Sequence, residues 1–157
     1  MNANLFLANI LLSLIWAFIS GTLSFSSILL GFVIGYFILF IIYGKETGYF
    51  LKVIRIFLFT FRFIGLLFLS NIEVAIEVLR IHPKSAPGII AYPLHSINPL
   101  EITLFANFIS LTPGTLSVDI SEDNKILYIH ALFANNPEKL KKDIEKQIEK
   151  PLNTIFN

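Results

Sequence analysis

The three histidines, His82, His95 and His130, stand far apart, and none has a second ligand or a carboxylate at metal-binding spacing. His130 alternates within an apolar run between Ile129 and Ala131 and reads as a surface or packed histidine. The chain has no cysteine, which removes thiolate nucleophiles, disulfides and cysteine-held metal clusters. It carries no GxGxxG, P-loop or GxSxG motif, and Asp119 and Glu122 read as solvated positions on a hairpin. No catalytic constellation emerges, so an enzyme, a cofactor and a resident metal are not expected. The formal net charge of +1 gives no support for nucleic-acid binding.

One ionisable pattern does emerge, on the stretch from Phe50 to Arg80. Lys52, Arg55, Arg62, Glu73, Glu77 and Arg80 fall within a sector of roughly 80° when projected at 100° per residue. The other faces are Ile, Leu, Phe and Val, and only Gly65 interrupts a proline-free run. As one helix the stretch extends roughly 45 Å, the thickness of a bilayer with its headgroups. An arginine in mid-membrane costs roughly 3 kcal/mol or more unless it pairs or faces protein or water. The charged seam of Arg55, Arg62, Glu73, Glu77 and Arg80 therefore calls for a partner, although residues near the helix ends can snorkel to the interface.

The elements around this helix follow from composition. The chain is 55% hydrophobic, has a mean hydropathy of +0.72 and contains 16 phenylalanines, which predicts an integral membrane protein. Two apolar runs precede the long helix, at about 5–23 and 25–43, giving three transmembrane helices with 50–80 as the third. Ser13, Ala17 and Gly21 recur every four residues on the first, with Asn9 on the same face. Ser27, Gly31 and Gly35 do so on the second, and small residues at this spacing let helices pack closely. No lysine or arginine precedes the first run, so it reads as a retained helix instead of a signal peptide. The second loop carries Lys45 and Glu46; the charges on the two sides are too balanced to set topology.

Composition changes at His82-Pro83, so residues 1–82 read as a membrane domain and 83–157 as a small α+β domain of order β-α-β-β-α. Pro87 to Pro93 reads as a strand, and Asn98-Pro99 starts a short helix with Glu101 three residues after the cap. Pro113-Gly114 stops that helix, residues 116–120 and 126–132 form a hairpin, and Asn136-Pro137 starts the last helix. Leu140, Ile144 and Ile148 form its buried stripe, and Pro151 ends or kinks it.

The run from Asn107 to Thr115, NFISLTPGT, is the most distinctive local motif. Leu111, Thr112, Pro113, Gly114 and Thr115, with Pro87-Gly88 before them and Ile129-His130 after, resemble one family along nearly the whole chain. That family is the E subunit of the Mrp-type (also Mnh or Sha) multisubunit cation/proton antiporters. The resemblance implies a multi-pass protein of the plasma membrane with its C-terminal domain in the cytoplasm. It implies an accessory or assembly role, with the lipid bilayer and the other subunits of the complex as partners and sodium efflux against protons as the activity of the whole. Similar subunits belong to membrane-bound energy-converting hydrogenases and related respiratory complexes, which is the alternative host. A stand-alone membrane-anchored binding module is the further alternative.

Overall fold

In a computed structural model, residues 3–44, 48–96 and 98–156 are described. Lys45 and Glu46 of the second loop lie outside the described residues. The chain divides into two units, Met1–Ile56 and Phe57–Asn157. The division falls inside the long helix and not at the composition break near residue 82, because the outer part of that helix packs with the α+β elements.

In the first unit, α1 (Ala3–Ile19) and α2 (Phe25–Tyr43) form a hairpin. Their contact is made of small and polar residues. Asn9, Ser13 and Ala17 are buried on α1, and Ser27, Gly31, Gly35 and Leu39 on α2. A Cβ placed on Gly31 would come within 2.8 Å of the Ser13 carbonyl oxygen, and one on Gly35 would collide with Asn9 Oδ1. Glycine is thus required for backbone to meet backbone here. Gly21 does not share this seam. The helix stops at Ile19, and Gly21, at φ 66°, closes it from outside with nothing within 4 Å of its would-be Cβ. The N–H of Thr22 bonds to Ala17 O and that of Gly21 to Phe18 O, a Schellman arrangement that satisfies the terminal carbonyls. Ser24 then caps α2 by accepting from the N–H of Ser27.

The long helix α3 (Tyr49–Leu79) begins in this unit. Tyr49 and Phe50 are buried with Leu5 and Leu39, and Asn9 Nδ2 donates to the Tyr49 hydroxyl at 2.9 Å. Among the described residues two helices, α2 and α3, are long and apolar enough to cross a membrane; the apolar run Asn4–Ile19 is shorter. Most large side chains of α2 point outward, with Phe25 82% and Ile41 81% exposed, while Ser27, Gly31, Gly35 and Leu39 face inward.

In the second unit, β1 (Gly88–Pro93), β2 (Thr115–Ile120) and β3 (Ile126–Ala131) form an antiparallel sheet in the order β1-β3-β2. β1 and β2 therefore run parallel with β3 between them, joined by α4 (Pro99–Leu111). Asn98 caps α4 and Pro99 occupies its first turn, where a missing N–H costs nothing. The chain then continues through α5 (Pro137–Ile144), a π-helical turn (Glu145–Glu149) and α6 (Lys150–Phe156). Pro151 does not end the helix. The wider turn ahead of it, with Lys150 N–H bonding to Glu145 O, makes room for a residue that cannot donate and whose ring would strike a preceding carbonyl. The core lies between the inward sheet face (Ile90, Tyr92, Leu127, Ile129), α4 (Phe105, Ile109), the C-terminal helices (Ile144, Ile148, Leu152) and Phe59 of α3.

Candidate functional site

The corner between α4 and β2 is a tight turn built by its own side chains. Thr112 Oγ1 donates to Phe108 O, and Thr115 Oγ1 donates to Ile109 O and Thr112 O, so the hydroxyls of the corner take up two of the last carbonyls of α4, those of Phe108 and Ile109. Thr115 N–H bonds to Thr112 O across Pro113 and Gly114, and Gly114 sits at φ 86°, the left-handed position of a type II turn. Leu132 N–H bonds to Gly114 O, fixing the corner to the end of β3. A side chain on Gly114 would meet Val74 of α3 at 3.3 Å. Phe108, one turn before the corner, packs edge-on against Phe59 and Phe63 of α3 at 4.9 and 4.7 Å.

Beside this corner runs an open groove of about 880 Å³. One wall is a face of α3 with Arg62, Gly65, Leu66, Leu69, Ser70 and Glu73. The corner residues Thr112 to Thr115 form its floor, and α5 and the π turn form the far wall with Lys139, Asp143 and Lys146. Arg62 and Glu73 are exposed, and neither makes a hydrogen bond or ion pair among the described residues. Lys139, Asp143 and Lys146 make no side-chain ion pair among them either. The groove thus joins two features that sequence reasoning kept apart, the charged seam and the LTPGT corner.

The other seam residues have separate placements. Arg55 is half-buried in the first unit. Glu77 is buried and closes the exit from α3: its carboxylate accepts from Lys84 N–H, Ser85 N–H and Arg80 Nη1. Those donors offset a carboxylate at a helix C-terminus, where the helix dipole disfavours it. Of the remaining motif residues, Asn107 and Leu111 are exposed on α4 outside the groove, and Pro87 is exposed ahead of β1. Gly88 leaves space for Ala134, and His130 lies exposed between Ile89 and Leu116 on the outer sheet face.

A buried cluster escaped sequence reasoning. Glu149, 4% exposed, accepts from the Tyr92 hydroxyl at 2.6 Å, while His95 Nδ1 lies 3.0 Å from the same carboxylate. For the ring to donate, its proton must sit on Nδ1. Burial first, then the hydrogen bond to and the charge of Glu149, push the Tyr92 phenol above the ordinary tyrosine range. No spacing rule reveals this contact. Ile148 and Glu149, adjacent in sequence at the end of the π turn, both face inward. Outside it, Lys150 and Glu145 pair at 2.8 Å, lowering the pKa of the acid and raising that of the base.

The MNHE family, described as Na+/H+ ion antiporter subunit, matches residues 9–155. The chain belongs to this family. It is 36% identical to the E subunit of the Na(+)/H(+) antiporter of Alkalihalophilus pseudofirmus, over 93% of this chain and 94% of the relative. It is likewise 36% identical to the corresponding E subunit of Bacillus subtilis, over 95% and 96%. Among solved structures, a chain of the membrane-bound sulfane sulfur reductase, an archaeal respiratory membrane complex, shares the fold at a TM-score of 0.62. That likeness covers 97% of this chain and 98% of the other at 24% identity. This family is one of transporter components and not of catalytic enzymes.

Proposed function

We propose that this chain is an accessory subunit of a multisubunit cation/proton antiporter of the plasma membrane, supporting sodium efflux in exchange for protons. Membership of the E-type antiporter family, over almost its full length, carries the reading. In this reading α1, α2 and α3 reach into the bilayer, and residues 83–157, with the part of α3 that packs against them, form a domain on the cytoplasmic side. The exposed Phe, Ile and Leu on α2, around an inward seam of Ser27, Gly31 and Gly35, support a helix facing lipid. α1 and α2 contain no acidic or basic residue, so a proton relay has no group to use there. The role that fits is structural: α1 and α2 anchor the subunit, and the groove with its floor of Thr112 to Thr115 docks against a neighbour. The alternative host, a hydrogenase or related respiratory complex, draws on the fold shared with the archaeal complex and differs in the redox subunits it would hold.

The test is complementation in everted membrane vesicles of a strain lacking this chain, reading sodium-dependent collapse of the proton gradient. The full chain should restore antiport, and a chain ended before Pro87 should leave it absent together with the assembled complex. Full activity from the truncated chain would overturn the reading.

A further inference from the structure

We infer that the groove seats a helix of a different subunit, one that places a carboxylate opposite Arg62 and a basic side chain opposite Glu73. The inference rests on the antiporter-subunit reading and names the partner's chemistry. Arg62 and Glu73 are eleven residues apart on one helix, which is three turns and about 16 Å, so both charges project from the same face. Both are exposed, and both are unpaired among the described residues. Some charges of the same unit do pair, Glu138 with Lys141 at 3.1 Å, Glu145 with Lys150 at 2.8 Å and Glu77 with Arg80 at 3.0 Å, while Lys84, Glu122 and Lys142 stand singly without an ion pair among the described residues. Only toward the groove do charges from both walls stand open: Lys139, Asp143 and Lys146 face Arg62 and Glu73 without an ion pair. A partner that sets a carboxylate against Arg62 and a base against Glu73 would give both the counter-charges they lack among the described residues.

Two other occupants fit less well. A second copy inserted in the same direction sets its α3 parallel, bringing Arg62 against Arg62 and Glu73 against Glu73. Pairing unlike charges then needs a stagger of three turns, which satisfies one pair and leaves the other two charges open. An anionic lipid headgroup can neutralise Arg62, Lys139 or Lys146 but leaves Glu73 and Asp143 without a counter-charge. Opposite charges spaced along one groove match a helix carrying the reversed pattern, which also fixes its direction and register.

The test uses the full chain in its native membrane, with a benzophenone amino acid in place of Ser70, the half-buried groove residue between the two charges. Irradiation should give an adduct with another subunit, on a peptide with an acidic and a basic residue about three helical turns apart. The double swap R62E/E73R keeps net charge and composition, and should lower adduct yield about tenfold or more, since like charges then oppose each other. If the double swap fails to insert, Arg62→Gln and Glu73→Gln carry the same readout, each lowering yield several-fold at unchanged chain level. Adducts to lipid alone, adducts to a second copy, or a yield indifferent to these charges would overturn the inference. If the unsubstituted chain brings down no antiporter subunit, the functional reading itself fails. If it brings them down and none is labelled from position 70, only the docking inference fails.

Discussion

The α1–α2 seam and the α3–α5 groove are both helix surfaces in an apolar chain, and they are finished in opposite ways. In the seam, Gly31 lies against the Ser13 backbone and Gly35 against the Asn9 and Leu12 side chains, so closely that an added methyl has no room. In the groove, Gly65 has nothing within 4 Å of its would-be Cβ, and charges face one another across open space. Small residues complete a contact within the chain; charged residues without partners mark a contact that another chain completes.

Leucine substitutions at the two kinds of glycine give the largest effects and the sharpest contrast. Gly31→Leu or Gly35→Leu should cost about 3 kcal/mol or more by overpacking a backbone contact. The check is a lower unfolding temperature in detergent and less chain surviving in the membrane. Gly65→Leu should leave the chain at least as stable, since replacing a mid-helix glycine adds up to about 1 kcal/mol. It should nevertheless fill the groove, and native gels should show the complex lost while the subunit persists. Equal behaviour of the two substitutions would erase the distinction.

The Glu149 cluster is a third case, polar but closed. Glu149→Ala leaves the buried Tyr92 hydroxyl without its acceptor and should destabilise the chain by about 1–3 kcal/mol, measured by thermal unfolding at neutral pH. Glu145→Gln, on the solvent side of the same π turn, removes an exposed ion pair and should leave the unfolding temperature almost unchanged. The alkaline limb carries the same signature. The folded state holds the Tyr92 proton more tightly than the unfolded one, so its contribution is complete below about pH 10 and is lost as pH rises beyond that. The unfolding temperature should fall above that pH in the wild type and less so in Tyr92→Phe. Glu77→Gln keeps an amide oxygen to accept from the same donors, and its effect should be local, seen as faster amide exchange at Lys84 and Ser85 with the groove unaffected.

Where local chemistry decides, the elements were legible in the sequence. Asn98-Pro99 and Asn136-Pro137 start helices because an amide cap and a missing N–H suit that position, and Pro113-Gly114 turns the chain because its φ values are fixed or freed there. Four-residue spacing placed Ser13, Ala17, Gly31 and Gly35 in line, and overreached at Gly21, where a glycine that ends a helix has the same spacing as one that packs it. The angular projection of α3 put six charged residues on one face, but it could not tell Glu73, open to the groove, from Glu77, one turn on and satisfied by Lys84 and Ser85. That difference depends on how the chain folds back after α3. The Glu149 contact was hidden for a similar reason, because the π turn shifts the helix register by one residue before Pro151.

The central claim is that this chain works inside an antiporter assembly and is held there through its groove. The direct measurement is gentle-detergent purification of the tagged full chain from native membranes, wild type and Gly65→Leu side by side, with co-purifying proteins identified by mass spectrometry. The account predicts membrane subunits of an antiporter with the wild type and their loss from Gly65→Leu at equal recovery of the chain. A wild-type chain recovered alone, or with a soluble partner only, would contradict it.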